Sequence, residues 1–590
     1  MKHPTRWLSF IGALVILGAN ANLSLAEEVK PEIIGPYLSP NHTSTGISFV
    51  YDDFRDPRNA TASFLADWNT MYPDPANPWV YNPNTVKYCT SLTDEVCSKA
   101  TKFEAVAFMP ACVGPEDNYC VESIYAVVNE KRIDGVLKSN YPKTTLRAFK
   151  GDAKYNLASG STSTIWTIPG VKNAAGNEDY LISTYLAQTG QRNPDGTLQP
   201  FKVKTMTLGF YAINMLQGPY SDLLPNGSGI DGITQSGCAV TELGSCAKRS
   251  AFAENTRYGI VLRFATPPVS WFYGRMSRAV VDTEVKPYGL NLTVEAEPVY
   301  VPIAAGFSTW NNLPTYLQDF YQRKNNNGIG FGTDGMPVGD DPTKWDFGAN
   351  HTSDDFGSLK AWMPLVKDQA AIMSPQFFLR SVPSDSMGNL ARCFTSGNQV
   401  NGLVTSNATA YTPGPPNFDQ QAQSLDYEMA SPHYTAAGNL SKGSYDLSIR
   451  SSVASCIYGF KDNVPIKASI SIVGGSSDIA TELISNKNGW FRLGAYGFTF
   501  SQPKLRVKLT QDLPTPTQNN NGGMQNNNGG MQNNNGGMQN NNGGMQNNNG
   551  MQSSVMKPAA KTISIKCVKG KTVKTVSGTN PKCPAGYTKK

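Results

Sequence analysis

Most of this chain alternates apolar and polar residues in short runs, separated by clusters of Gly, Pro, Asn and Asp. Successive side chains of a strand point to opposite faces of a sheet, so this alternation is typical of strands with one buried face. The separating residues favour turns. The pattern predicts strands in six segments: 163–168, 201–206, 258–264, 292–296, 468–473 and 505–509.

Residues 306–375 follow a helical period instead. Pro314 suits a first helical turn, Ser353 is a candidate N-cap, and Pro364 should kink or end a second helix. We therefore expect a helical connector in this region. The apolar positions at helical spacing are Leu313, Tyr316, Leu317, Phe320 and Tyr321, then Leu359, Trp362, Met363 and Val366.

Together these patterns predict a mainly β, multi-domain fold. The 54 Gly and 39 Pro residues favour antiparallel β-sandwiches with long loops, of the jelly-roll or immunoglobulin-like type. A body of this length exceeds a single hydrophobic core. We expect a β-rich region of one or two domains in 27–305 and a β-sandwich domain in 376–512, on either side of the connector.

Residues 513–555 are of low complexity. The unit QNNNGGM recurs there, with Met524, Met531, Met538 and Met545 at intervals of seven. This period lacks an apolar seam and includes Gly pairs, which oppose a coiled coil. We expect a disordered linker that reaches roughly 30–35 Å, by the estimate for Gly-rich chains.

The N-terminus has the features of a secretory signal. Lys2 and Arg6 precede an apolar run at 8–17, and small residues stand at 24 and 26. The run is shorter than a membrane span, so we expect a signal peptide at 1–26 and no transmembrane segment in the mature chain. An uncleaved anchor is the alternative. The expected location is extracellular or on the cell surface, for an exported protein.

The ten cysteines all follow the predicted signal, mostly as near neighbours. An even number in an exported chain indicates disulfide bonds, and the C-x₂-C spacing of zinc sites does not occur in the sequence. We therefore predict disulfides rather than a metal site. Proximity predicts the pairs Cys89–Cys97, Cys112–Cys120, Cys238–Cys246, Cys393–Cys456 and Cys567–Cys583.

Charge is unevenly distributed along the chain. The formal net charge is +6, but residues 553–590 hold nine Lys and no acidic residue, which leaves −5 for residues 27–552. A nucleic-acid-binding protein would spread basic residues over its fold. We therefore expect no nucleic-acid partner.

Motifs for catalysis are scarce. His42, His351 and His433 are scattered, and the sequence has neither a G-x-S-x-G elbow nor an H-E-x-x-H motif. A glycosidase needs only two carboxylates about 5–10 Å apart, but Asp among Pro, Gly and Asn also stabilises turns. The catalytic residues therefore stay unknown. The candidate carboxylates are Asp52, Asp53 and Asp56, or Asp340, Asp341 and Asp346.

A calcium ion is the one cofactor considered. The loop at 334–355 is rich in Asp, and hard cations take several oxygen ligands from flexible loops. The loop does not follow the EF-hand pattern, and a solvated loop is the alternative. We expect no other cofactor.

Aromatic residues beside turn residues are candidates for ligand binding. Tyr72, Trp79 and Tyr81 lie in a Pro-rich loop, and Trp271 and Tyr273 flank Phe272. Exposed rings can stack on sugar faces through their large apolar area. The alternative is that these rings fill the ends of a sandwich core.

Residues 556–590 predict a small basic tail. Two alternating runs flank Lys569-Gly570-Lys571, and a Cys567–Cys583 disulfide would stabilise the hairpin by about 3 kcal/mol in the chain-entropy estimate. The candidate envelope-binding residues are Lys566, Lys569, Lys571, Lys574, Lys582, Lys589 and Lys590.

The segments CVKGK at 567–571 and PKCPAGYTKK at 581–590 resemble the Lys-rich, two-Cys C-terminal tail of exported actinobacterial proteins. Body segments 453–460 and 489–500 are similar to patterns in the same proteins. The tail resemblance covers about 30 residues. It implies a location at the cell envelope and assigns no catalytic residue.

Three classes of function remain. The leading interpretation is a secreted or cell-surface structural or adhesion-type protein, tethered through its basic tail to an anionic cell-envelope polymer or polysaccharide. The alternatives are an exported carbohydrate-binding protein, which would use the loop aromatics, and a carbohydrate-active hydrolase, which would use the carboxylates.

Overall fold

The computed structural model describes residues 46–51, 62–76, 80–144, 146–218, 238–242, 244–268, 270–326, 346–351, 356–382, 392–393, 399–460, 466–473, 481–500, 504–511, 563–569, 572–578, 583 and 587–589, some of them by backbone alone. The predicted signal peptide and linker lie outside the described residues. The chain forms two compact units, Met1–Thr515 and Pro516–Lys590.

Strands dominate the described residues, as predicted, and all six segments with clear alternation lie in strands. The strands up to residue 303 are β1 (Gly46–Tyr51), β2 (Phe64–Asp67), β3 (Tyr88–Cys89), β4 (Lys102–Phe108), β5 (Cys120–Val128), β6 (Lys131–Asp134), β7 (Val136–Tyr141), β8 (Ser163–Thr167), β9 (Asp179–Gln191), β10 (Lys202–Gln217), β11 (Cys238–Glu242), β12 (Ser245–Ser250), β13 (Arg257–Phe264), β14 (Trp271–Arg275), β15 (Ser277–Lys286), β16 (Gly289–Glu297) and β17 (Val299–Ile303).

The later strands of the first unit are β18 (Ala305–Ser308), β19 (Asp346–His351), β20 (Ile372–Gln376), β21 (Phe378–Ser381), β22 (Gly402–Ser406), β23 (Ala410–Tyr411), β24 (Asn417–Asp419), β25 (Ser424–Ala430), β26 (Gly443–Arg450), β27 (Ile466–Val473), β28 (Thr481–Lys487), β29 (Trp490–Phe498) and β30 (Lys504–Gln511). The second unit has β31 (Ile563–Lys569), β32 (Thr572–Gly578) and β33 (Thr588–Lys589). The described helices are α1 (Trp68–Met71), α2 (Thr315–Asn326), α3 (Phe356–Trp362) and α4 (Ser451–Tyr458), with 3₁₀ turns at Ala153–Tyr155 and Trp310–Asn312.

A 15-stranded sheet forms the centre of the first unit. Its main path runs β28-β29-β26-β22-β14-β21-β10-β9-β4-β2-β3, and the sheet forks where β8 pairs with β9 and β12 with β10. Two five-stranded sheets accompany it, with β15-β16-β13-β5-β6 in one and β23-β25-β30-β27 plus β24 in the other. Among the described strands, β14–β22 and β1–β19 pair in parallel and all other pairs are antiparallel.

The large sheet buries both of its faces. On β22, Leu403 packs into one apolar cluster and Val404 into another; on β29, Trp490 and Phe491 divide in the same way. Successive strand side chains point to opposite faces, so the two clusters lie on opposite sides of the sheet. One cluster includes residues of β5, β13, β15 and β16, and the other includes residues of β25, β27 and β30. The result is a β-sandwich arrangement of three layers.

The large sheet joins the two strand-rich segments that flank the expected connector. β21 pairs with β10, and β14 pairs with β22. Strands from 27–305 and from 376–512 therefore alternate within one sheet.

Residues 306–375 contain the predicted helices but also strands. Helix α3 ends before Pro364, and Trp362 Nε1 donates to Tyr321 Oη on α2 across 2.6 Å. β19 lies inside this region, and β20 pairs with β17. Helix α4 lies outside this region and was not predicted. Its residues Val453, Ala454 and Ile457 are buried in the second cluster. The connector is therefore a mixed segment that packs on the sheets.

Four predicted disulfides are confirmed: Cys89–Cys97, Cys112–Cys120, Cys238–Cys246 and Cys393–Cys456. The Cys393–Cys456 disulfide links helix α4, which contains Cys456, to Cys393. Cys583 is also disulfide-bonded, whereas the side chain of Cys567 lies outside the described residues. Among the described residues, no helix is both long and apolar enough to cross a membrane.

A buried carboxyl lies where β26 meets β15. Asp446 accepts hydrogen bonds from the Tyr496 hydroxyl and, across 2.9 Å, from the Arg278 backbone N–H. Arg278 stands over the Tyr496 ring and pairs with Glu297 at 3.3 Å. Burial is the main effect, and it raises the pKa of Asp446 to about 7.

We predict that Asp446 makes the protein less stable as the pH rises from about 4 to 7. In this range the folded state keeps a proton that the unfolded state has lost, so the free energy of unfolding falls as pH rises, by up to about 4 kcal/mol. Asp446→Asn should flatten this slope, as measured by urea unfolding at each pH. Asp134→Asn, at an exposed aspartate of β6, should keep it, and equal slopes for wild type and Asp446→Asn would contradict the assignment.

We also predict that Gly402→Ala destabilises the fold. A Cβ at Gly402 would lie 2.0 Å from Cζ3 of Trp271, which is fully buried. Overpacking of this kind costs about 1–3 kcal/mol, measurable as a lower urea midpoint. The cost should shrink in a Trp271→Phe background, because the smaller ring removes the clash. An equal cost in both backgrounds would show that the indole is not its cause.

Candidate binding surface

The structure separates the five aromatic residues expected at a ligand site. Tyr72 and Tyr81 lie at the surface, while Trp79 lies outside the described residues. Trp271 and Tyr273 are instead buried on β14. These two are core residues, because their strand lies at the middle of the large sheet and their rings pack into the second apolar cluster. For Trp271 and Tyr273, the structure therefore shows the alternative, in which the rings fill the core.

Helix α1 brings the first two rings of the surface site together. Asp67 begins the helix, and its Oδ1 accepts the N–H of Asn69 across 3.0 Å. Residues four apart are neighbours on a helix. Trp68 and Tyr72 accordingly stack at a tilt of 35°, with ring centroids 4.3 Å apart.

The following loop returns Tyr81 to the same place. Asn82 donates its backbone N–H to the Met71 carbonyl at 2.9 Å, and the Thr85 hydroxyl donates to the Thr70 carbonyl at 2.6 Å. These bonds hold the loop against α1. The Tyr81 ring therefore meets the Tyr72 ring edge-on, with centroids 6.0 Å apart.

Tyr88 on β3 extends the series. Tyr88 lies close enough to Tyr81 to affect its pKa. The guanidinium of Arg147 lies 4.0 Å from the Tyr88 ring centroid, and its Nη1 donates to the Tyr88 hydroxyl at 2.9 Å. Burial, followed by the influence of Tyr88, raises the pKa of Tyr81 above its usual value. We call Trp68, Tyr72, Tyr81 and Tyr88 the aromatic row.

The aromatic row is partly open to solvent. Tyr81 is 47% exposed, and the other three rings are half-buried. Contact between rings fixes their orientation before any ligand arrives, so binding would cost little side-chain entropy. Flat, preoriented rings with hydroxyl groups suit the faces of sugar rings.

A cleft lies at the Trp68 end of the row, and we call it the lysine cleft. Its volume is about 340 Å³. The ammonium of Lys204 lies 5.4 Å from the centroid of the Trp68 ring, a cation–π contact. The lining residues are Trp68, Lys102, Phe103, Thr189, Gly190, Gln191, Gln199, Pro200, Lys202 and Lys204.

A second groove of about 420 Å³ has a different character. Its charged side chains are largely paired. Arg257 binds Glu130 at 2.9 Å and Glu295 at 3.0 Å, while Glu297 binds Arg278. Side chains already engaged with each other offer less to a ligand than the lysine cleft does.

The histidines give no assembled nucleophile. His433 Nδ1 and its backbone N–H both contact the Asp368 carboxylate. In the described part of the chain, no Ser, Thr or Cys hydrogen-bonds to this ring. His42 lies outside the described residues, and for His351 only the backbone is described.

The candidate carboxylate and calcium sites lie mostly outside the described residues. This holds for Asp52, Asp53, Asp56, Asp340 and Asp341, and Asp346 is described only as backbone of β19. The one cluster of potential metal ligands among the described residues is Asp94 with Cys89 and Cys97. Those two sulfurs form a disulfide, so they offer no thiolate to a metal.

The tail residues form a three-stranded antiparallel sheet in the order β32-β31-β33. Lys566, Lys569 and Lys574 lie on β31 and β32, and Cys567 is paired in register with both Lys574 and Lys589. The side chain of Lys589 is exposed. Lys571, Lys582 and Lys590 lie outside the described residues.

No family model, curated protein or solved structure matches this chain.

Sequence reasoning missed the cleft and two rings of the row, Trp68 and Tyr88. Trp68 follows Asp67, whose capping of a short helix was a usable signal. Lys102 and Lys204 lie on different strands about a hundred residues apart, and only the pairing of both strands with β9 brings them together.

Proposed function

We propose that this protein is an exported, adhesion-type surface protein whose body binds carbohydrate chains at the aromatic row. The observation that carries the proposal is the row itself, in which three contacting rings, with Tyr88 near Tyr81, reach the surface beside a cleft lined with Lys, Gln and Thr side chains. Amide, hydroxyl and ammonium groups can hydrogen-bond to sugar hydroxyls while the rings cover apolar sugar faces.

The disulfides support the location. Disulfide bonds persist in oxidising compartments and are rare in the cytosol. Four confirmed pairs fit an extracellular protein. The predicted signal peptide and the resemblance of the tail favour the same location.

The tail supports a second part of the proposal, attachment to an anionic envelope polymer. Residues 553–590 carry nine Lys without an acidic residue, and they belong to a unit separate from the body. Weak contacts of many lysines with phosphate or carboxylate groups would hold the protein at the envelope. The body would then be free to bind glycans.

The glycan proposal predicts that the rings determine affinity. Tyr81→Ala and Tyr72→Ala should each weaken binding to glycans found on an array by about 5- to 30-fold, since a lost ring contact costs on the order of 1–2 kcal/mol. Calorimetry with the purified full chain measures this. Tyr434→Ala is the matched control, because Tyr434 is 45% exposed and lies outside the row.

An unchanged affinity in both row variants would reject the site. Release of reducing sugar from a bound glycan would show that the protein is a hydrolase rather than a binding protein.

The tail proposal predicts salt-sensitive retention. The full chain should bind washed bacterial cell walls at 50 mM salt and dissociate by 500 mM, because exposed charges are screened over about 8 Å at physiological ionic strength. Deleting 553–590 should reduce retention without changing the thermal unfolding of the body, since the units are separate. Equal retention of both forms, or retention that salt does not change, would reject an electrostatic anchor.

A further inference from the structure

We infer that the lysine cleft selects glycans that carry negatively charged groups (carboxylate, sulfate or phosphate) over neutral glycans. This inference rests on the proposed function, because the same rings must hold the sugar. It names the class of ligand, an acidic polysaccharide, and the residues that distinguish it from a neutral one.

The cleft gathers three exposed lysines from β4 and β10, the strands on either side of β9. Strand β9 runs between β4 and β10, and it pairs Gln191 with Lys102 on one side and Thr189 with Lys202 on the other. Neighbouring strands are about 4.8 Å apart, so Lys102 and Lys202 flank β9 at roughly twice that spacing. A sugar acid group that enters between them meets ammonium groups from both sides.

The third lysine is positioned by the aromatic row. The ammonium of Lys204 rests on the Trp68 ring, and Tyr72 in turn packs against that ring. The Lys204 ammonium therefore lies beside Trp68, at one end of the aromatic row. A chain that stacks along Tyr81 and Tyr72 would present its next residue to Lys204.

The lysines are available for a ligand. The ion pairs among the described residues do not include Lys102, Lys202 or Lys204. Nearby carboxyl groups are fewer than these cations, with Glu104 two residues from Lys102 on β4 and Asp67 engaged as the cap of α1. The local charge is positive although the body as a whole is acidic.

Polar side chains add recognition of hydroxyl groups. Thr189, Gln191 and Gln199 line the cleft, and Gln199 is oriented by donating its Nε2–H to Asn193 Oδ1 across 2.6 Å. Phe103, buried beneath them, lines the same cleft. An apolar lining, hydrogen-bonding amides and three cations together fit an acidic sugar better than a free anion.

Single-stranded nucleic acid is the other polymer that combines stacking faces with negative charge. The cleft gathers three lysines rather than the long basic track that such binding uses, so the acidic glycan is favoured. Nucleic acid enters the test as a competitor.

The experiment compares charged and neutral oligosaccharides of equal length on the full chain. The pairs are galacturonan oligomers with their carboxyl-reduced products, and sulfated with unsulfated dextran oligomers. A teichoic-type polyol phosphate oligomer represents the phosphate group. We expect the wild type to bind at least one charged member about 10-fold more tightly than its neutral counterpart at 50 mM salt, with the preference declining toward 500 mM.

The variants assign that preference to the cleft. Lys204→Gln and Lys202→Gln should each reduce the preference about 3- to 5-fold, because each change weakens binding of the charged member more than binding of its neutral counterpart. Lys172→Gln, at an exposed lysine outside the cleft, is the matched control and should keep the full preference. The basic tail is the same in every protein compared, so a difference between the wild type and a variant comes from the cleft.

The outcomes separate the two proposals. Two results would overturn the inference: equal affinity for charged and neutral members, or a preference that survives both cleft variants. In either case, binding that still depends on the rings would support the glycan site. A glycan affinity that Tyr81→Ala leaves unchanged would overturn the glycan site itself. Tighter binding of an oligothymidine of the same charge, lost in Lys204→Gln, would assign the cleft to nucleic acid and overturn the acidic glycan.

Discussion

The structure of the first unit depends on the burial of both faces of one long sheet. Leu403 and Val404, neighbours on β22, pack into different apolar clusters, and Trp490 and Phe491 on β29 do the same. Because one sheet supplies both clusters, a change in its register would move every side chain of a strand from one cluster to the other. This constraint explains why Gly402 leaves no room for a Cβ atom, since the Trp271 ring occupies the space above it.

The same constraint places the binding surface at the end of the sheet. In the middle strands, rings such as Trp271 are covered by the neighbouring layer. At the β2–β4–β9 end, helix α1 and the loop to β3 supply Tyr72 and Tyr81 at the surface, while Lys102 and Lys202 remain exposed. The Cys89–Cys97 disulfide directly follows this loop.

The sequence was sufficient for the strands, for four of the five predicted disulfides and for part of the candidate site, for physical reasons. Half-buried strands such as β27 and β30 alternate visibly, and cysteines eight residues apart are confined to short loops. Trp271 and Tyr273 were open to two interpretations because β14 is buried on both faces, so its composition gives no alternation that marks an exposed side. The lysine cleft could not be predicted, since it depends on pairing between strands distant in sequence. For the same reason, the sequence did not predict that the pairs β10–β21 and β14–β22 join the two strand-rich segments in one sheet.

The two kinds of contact at the surface should respond differently to their surroundings. Ring contacts of Tyr72 and Tyr81 act through apolar area and depend little on salt. Contacts of Lys202 and Lys204 with a ligand are exposed, so each contributes about 0.2–1 kcal/mol and is screened by salt. Under the proposed function, such a surface would bind a single sugar weakly and a repeating polymer more strongly, because each added residue would meet another weak site at high local concentration. Weak, repeated contacts suit adhesion, since they hold a long chain without trapping any one segment of it.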